Sequence, residues 1–168
     1  LELSDERLEY MRQEANRLGH GNVQLLAGDA TTLDWRASTE PFDLILLDAP
    51  CSGSGTLRRH PDIKLLRGPE DLPPAAALQL KLLENLWPLL RPGGSLIYCT
   101  CSLFAEENDQ VIEGFLERAA RTTAAAEEPA DHLPIMQPLQ LPVGTATRHG
   151  WQLLPLPAGD EQPNRTVD

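Results

Sequence analysis

Residues 43–56 read Asp-Leu-Ile-Leu-Leu-Asp-Ala-Pro-Cys-Ser-Gly-Ser-Gly-Thr, and this stretch decides the fold. From Leu44 to Leu47 no polar residue interrupts the run. A short apolar run bounded by turn residues predicts a strand buried on both faces, as in a parallel sheet covered by helices. Pro50 has no N–H to donate, so the strand must stop before it. Asp48 and Cys51 are thereby delivered to a loop at the carboxyl end of a buried strand, where open α/β sheets hold their ligands. Taken alone, Cys51 reads more simply as a small buried hydrophobe in a polar turn.

Upstream, Ser4 is an N-cap with Asp5 and Glu6 favouring the helix dipole behind it. Leu8, Met11, Ala15 and Leu18 recur at helical spacing, and Gly19 suits the end of that helix. Residues 22–26 read as a short strand closed by Gly28-Asp29-Ala30. With residues 1–3 as the end of an earlier strand, this is a βαβ unit and implies a parallel sheet. Glu2, Asp29 and Asp48 then stand at three strand ends. An acid after a parallel strand is the usual holder of a ribose hydroxyl pair, and a second can accept from an adenine amine. Each acid alone reads as an exposed turn residue; three in register are harder to dismiss.

Downstream, residues 75–90 predict a helix with Leu78, Leu82, Leu83, Leu86 and Leu90 on or near one stripe. Arg91-Pro92-Gly93-Gly94 should stop it. Residues 95–102 predict a second buried strand, with Cys101 near its end, and 108–120 a further helix. From Thr122 to Asp168 prolines break any period, leaving loops with short extended pieces at 137–141 and 151–156. The expected division is a catalytic core over 1–121 and a Pro-rich segment over 122–168.

The chain has 168 residues, 41% hydrophobic and 23% charged, which fits one globular domain rather than a disordered chain. No stretch has the apolar length of a membrane span, and no signal peptide is evident. Three cysteines, two of them crowded on one strand, suit a reduced, cytoplasmic protein. A net charge of −11 argues against strong non-specific nucleic-acid binding by the whole chain. Locally the sign reverses: residues 51–68 carry Arg58, Arg59, Lys64 and Arg67 against Asp62 alone. On charge alone, a solvated loop explains these cations as well as a binding patch does.

Two predicted parallel strands thus end in thiol-bearing turns, Asp48-Ala49-Pro50-Cys51-Ser52 and Thr100-Cys101-Ser102. If the strands are neighbours, the thiols converge on one cleft. A thiol is a suitable nucleophile for a soft electrophilic carbon such as carbon-6 of a pyrimidine, and it can leave again. Addition there makes carbon-5 nucleophilic toward a methyl donor. A nearby carboxylic acid can hydrogen-bond ring nitrogen-3 and draw off the charge.

At this point the chain resembles the RNA 5-methylcytosine methyltransferases of the Sun/NOL/Nop2 family, in the bacterial branch acting on small-subunit ribosomal RNA. The resemblance rests on LELSDERL, GDA, FDLILLDAPCSGSGTLRRHPDIK, LLRPGGSLIYCTCS and EENDQVIEGFL, and covers roughly residues 1–120. It implies a Rossmann-like α/β core using S-adenosylmethionine, mostly parallel sheet with helices on both faces. It also implies an RNA partner, no metal and no membrane. By the same resemblance Glu2 holds the donor ribose, Asp29 lies beside the adenine, and Asp48 serves the shared donor and cytosine pocket. Cys101 matches the nucleophile, and Cys51 the second thiol that helps release the product. Which cysteine attacks rests on the family, not on spacing. Arg58, Arg59 and His60 match a loop near the substrate, where the local cations gain meaning as phosphate contacts. Cys99 departs from the family residue and is expected to pack in the core.

The family's glycine-rich donor loop and N-terminal RNA-binding domain would precede Glu2, and its closing C-terminal strand is replaced by EQPNRTVD. The expectation is a chain incomplete at its N-terminus, a fragment weakly active or inactive alone. A methyltransferase-like module that only binds RNA or protein is the alternative. A metal or redox centre on Cys51, Cys99 and Cys101 fits poorly, because CxC on one strand with His20, His60, His132 and His149 scattered lacks zinc-site spacing.

Overall fold

The computed structural model describes residues 1–36, 40–126, 134–137, 141 and 144–153. Its centre is a parallel pair: β1 (Phe42–Asp48) runs beside β2 (Leu90–Cys99), with Leu44 opposite Ser95 and Asp48 opposite Cys99. β2 starts earlier than the expected residue 95. Phe42 pairs with Leu90, so Arg91-Pro92-Gly93-Gly94 bulges opposite Asp43 inside the strand, and Arg91 forms an ion pair with Asp43.

Helix α1 (Asp5–Arg17) is capped as its sequence predicts, Ser4 Oγ accepting from Arg7 N at 3.3 Å. The strand expected over 22–26 reduces to a single parallel bridge, Glu2 with Ala27. Val23 and Gln24 are exposed, and only the half-buried Leu25 and Leu26 lead into the bridge. A four-residue helix, α2 (Ile63–Leu66), precedes α3 (Leu72–Leu86). α3 begins three residues before the expected 75 because Pro73 and Pro74 fall in its first turn, where no N–H is required. It ends at Leu86 rather than 90: Pro88 cannot donate back along the helix, and Trp87–Leu89 tightens into a 3₁₀ turn. Helix α4 (Asp109–Ala126) runs past residue 121.

The core lies on one side of the strands. Leu47 and Ala49 pack with Leu82, Leu83 and Leu86 of α3 and with Val111 and Phe115 of α4. Trp87 meets Phe115 edge-on, ring centroids 5.7 Å apart. Here the expectation of burial on both faces is corrected. Residues alternate across a strand, and the face carrying Leu44 (55% exposed), Leu46 (65% exposed) and Ile97 is open to solvent. Leu78 is likewise off the buried stripe of α3, which Gln79 occupies instead.

A short antiparallel hairpin, β3 (Thr145–Ala146) and β4 (Trp151–Gln152), docks on the start of α4. Thr147 Oγ1 donates to Asp109 Oδ1 at 2.8 Å, and His149 N to the same oxygen at 3.1 Å. β4 opens the extended piece expected at 151–156, whose residues 154–156 lie outside the described residues. Of the piece expected at 137–141, residues 138–140 also lie outside them. Among the described residues no helix is long and apolar enough to cross a membrane.

Candidate active site

Because β1 and β2 are parallel neighbours, their carboxyl ends lie together. Ala49 N donates to Cys99 O at 2.9 Å, the last rung before Pro50. Beyond it the two turns meet, and Cys51 Sγ lies 3.3 Å from Cys101 Sγ. Gly53 takes φ +76°, a left-handed turn that a side chain rarely tolerates. Gly55 then lies so close to the second turn that its N–H reaches Cys101 O at 2.8 Å, and a Cβ there would stand 2.8 Å from the same oxygen. The local Ser-Gly-Ser-Gly sequence is what allows the thiols to touch.

The two thiols differ. Cys51 is half-buried and Cys101 exposed. Burial, helped by the neighbouring Cys101 thiol, pushes the Cys51 thiol up to about 11. Cys99 is not the core residue expected. As the residue paired with Asp48 it sits half-buried, 3.9 Å from Asp48 Oδ1, and burial followed by that carboxylate raises its thiol. Asp48 itself is exposed at the end of β1.

Beneath the thiols lies a buried polar cluster that reading the sequence for reactive residues missed. Glu107, 0% exposed, accepts from Ser52 N at 2.8 Å and Gln79 Nε2 at 3.2 Å through Oε1, and from Ser102 Oγ at 2.5 Å through Oε2. The hydroxyls of Ser52, Ser54 and Ser102 stand 3.3 Å from one another. Gln79 Nε2 also donates to Pro50 O at 2.8 Å, while Gln79 Oε1 is buried with no hydrogen-bond partner among the described residues. Tyr98 donates its hydroxyl to Glu107 O at 2.6 Å, and burial raises that hydroxyl well above the usual tyrosine range. The available signal was Gln79 itself, a polar residue three and four positions before Leu82 and Leu83 on a buried helical stripe.

The Glu2–Ala27 bridge brings the Glu2 and Asp29 segments side by side, with Glu2 N donating to Leu26 O and Gly28 N to Glu2 O, each at 3.0 Å. Glu2 accepts from Ser4 N at 2.9 Å and faces Arg7 Nε at 3.3 Å; the Ser4 bond chiefly lowers its carboxyl below the usual range. Asp29 accepts from Thr31 N at 2.7 Å, which lowers it likewise. Asn85 of α3 donates to Thr31 O at 2.6 Å, tying the Asp29 turn to the core. Each carboxylate retains lone pairs for further donors such as hydroxyls or an amine.

Arg58, Arg59 and His60 follow the Ser54–Thr56 turn on the exposed surface, with Arg59 N and His60 N anchored on Thr56 O at 2.8 and 3.0 Å. Beside them a cavity of about 220 Å³ is lined by Ser52, Ser54 and Phe104, with Lys64 and Arg67 among its walls. Among the described residues no group of three or more His, Cys, Asp or Glu side chains could hold a metal ion.

Comparison with known proteins fits this arrangement. Residues 1–155 match the family model for the 16S rRNA methyltransferase RsmB/F. The ribosomal RNA small subunit methyltransferase B of Pseudomonas syringae pv. tomato is 45% identical over 163 residues, covering 96% of this chain and 34% of that protein. The probable ribosomal RNA small subunit methyltransferase B of Coxiella burnetii is 48% identical over 113 residues, 66% of this chain and 26% of its own. Among solved structures, PH0851 superposes with a TM-score of 0.74 at 30% identity, over 89% of this chain and 31% of that one. NSun6 from Pyrococcus horikoshii with SFG superposes with a TM-score of 0.62 at 32% identity, over 70% and 29%. The chain therefore spans about a third of the length of the curated relatives it matches. Its α/β core is that of a Rossmann-like methyltransferase, and the chain belongs to the RsmB/F family of 16S rRNA methyltransferases.

Proposed function

We propose that this chain carries the reaction centre of an enzyme that methylates carbon-5 of cytosine in RNA, in small-subunit ribosomal RNA, through a covalent cysteine–cytosine adduct. The observation that carries the reading is the pair of thiols 3.3 Å apart at the ends of neighbouring parallel strands. Cys101, the exposed thiol, is the proposed nucleophile; as thiolate it adds to carbon-6 of the ring. Asp48 is the proposed partner of ring nitrogen-3, where a proton shared between the two would stabilise the charge that addition pushes there. Carbon-5 then takes the methyl group. Transfer of the carbon-5 proton to a water molecule reaching the open site lets the C5–H electron pair reform the ring double bond and expel the Cys101 thiolate. Cys51, kept as a neutral thiol by burial, suits a proton-handling part in that release better than attack.

The donor proposed is S-adenosylmethionine, which supplies an electrophilic methyl group when bound. A solved neighbour carrying SFG, an analogue of it, supports the choice. Glu2 would hold the ribose hydroxyls and Asp29 the adenine side, since both carboxylates end parallel extended segments and keep lone pairs to spare. Asp48 would border the same pocket. Arg58, Arg59 and His60, with Lys64 and Arg67 nearby, are proposed RNA contacts through phosphate. Residues 1–121 hold every proposed site residue, residues 122–168 none, and the reaction is placed in the cytoplasm with its RNA.

The test replaces the carbon-5 hydrogen of the RNA cytosines by fluorine. The final proton loss is then blocked and the adduct persists. With donor present, a denaturation-resistant protein–RNA adduct should form, disappear in Cys101→Ala and survive in Cys51→Ala. Adduct in Cys101→Ala but not Cys51→Ala would exchange the two roles, and absence of both adduct and methylated cytosine would discard the cytosine reading. The assay is run on this chain and on the chain extended upstream through a glycine-rich loop. Donor binding by calorimetry should be weak for the former and tight for the latter. Equal, absent binding in both favours a module that binds RNA or protein without catalysis.

A further inference from the structure

Glu107 is the one buried carboxylate among the described residues, and the reaction proposed above does not use it. Its two oxygens divide between the two turns. Oε1 accepts from the backbone N–H of Ser52, the residue after Cys51, and Oε2 from the hydroxyl of Ser102, the residue after Cys101. We propose that Glu107 is a positioning residue that sets the separation of the two thiols by clasping the residue that follows each. This deepens the proposed reaction and rests on it.

The energetics favour a tight clasp. A buried carboxylate that loses donors is far more costly than an exposed one, so both turns are held where they can solvate it. The hydroxyls give the cluster direction. Ser52 donates to Ser54, Ser54 can donate to Ser102, and Ser102 donates to Glu107, while Leu103 N and Phe104 N donate into Ser54 and Ser102 Oγ. That proton order needs an acceptor-only group at its end. Gln79 braces the clasp from α3: both N–H bonds of its Nε2 are committed, to Pro50 O and to Glu107 Oε1, and its Oε1 is left buried and unpartnered among the described residues.

The experiment reads the thiol spacing directly, on the full chain with Cys99→Ser so that two thiols remain. A short bifunctional thiol reagent is added, and intact mass gives the ratio of bridged chain to chain capped at both thiols. Glu107→Gln keeps an acceptor for Ser52 and Gln79 but turns an NH₂ toward Ser102; the ratio should fall several-fold while both thiols still react singly. Glu107→Ala should lower it about tenfold, as expected for losing charge-assisted hydrogen bonds. Ser102→Ala removes one arm alone and reports the same loss if Glu107→Ala does not fold. All ratios are taken well below each variant's melting temperature. An unchanged ratio in folded Glu107→Gln and Ser102→Ala overturns the proposal and leaves Glu107 a support of the core. Failure of methyl transfer is distinguishable, because it sinks the reaction and leaves the bridging ratio untouched.

Discussion

Burial pushes the Cys51 thiol from the ordinary 9.0 up to about 11, with the Cys101 thiol adding to the rise and the Gly53 backbone opposing it. The fold therefore favours the protonated thiol. Its contribution to stability is complete below the unfolded value and is lost as pH rises through about 11. The melting temperature should fall between about pH 9 and 11, and fall less steeply in Cys51→Ser. Tyr98 and Cys99, also raised, titrate in the alkaline range too, so the difference between the two proteins is the quantity to read. Identical slopes would show that the fold does not hold Cys51 protonated.

At the scale of elements, the Gly55 turn offers a direct check on how closely the two loops must approach. In Gly55→Ala the new Cβ would press on the Cys101 carbonyl, a backbone atom that cannot rotate away, so one turn must move. The expected loss is about 1–3 kcal/mol, seen as an earlier urea midpoint, with fewer bridged thiols. An unchanged midpoint would mean the turns are looser than their hydrogen bond at Gly55 N indicates. The same elements mark what the sequence could reveal. Strand β1, its stop at Pro50, the Ser4 cap and the second cysteine strand were legible because local chemistry dictates them. The clasp was not, since Glu107 sits in an acidic run, Glu106-Glu107-Asn108-Asp109, that looks like solvated surface. Only tertiary folding shows which of those acids is buried. Leu72–Pro74 and Leu90–Gly94 misled for a related reason: prolines and glycines that usually stop an element here fit a first helical turn and a strand bulge.

Across the whole molecule, the open face of the β1–β2 pair outweighs any single contact. Leu44, Leu46 and Ile97 present apolar surface on one side of a sheet whose other side packs against α3 and α4. Such surface favours self-association in water. Light scattering should return a mass above that of one chain. Leu44→Lys with Leu46→Lys, which leaves the packed face untouched, should lower it toward a monomer. A monomeric unsubstituted chain with a sharp cooperative melt would contradict this expectation.

The sulfur contact joins positions 50 residues apart, and the Glu107 clasp reaches 55 residues back to Ser52. A chain made from its N-terminus exposes Cys51 before Cys101 and Glu107 exist. At roughly 5–20 residues per second the wait lasts seconds. For that interval Cys51 stands without the Cys101 thiol and the Glu107 clasp that later flank it. Nascent-chain chemistry, oxidant or chaperone, meets this half-made state, which the completed protein no longer presents.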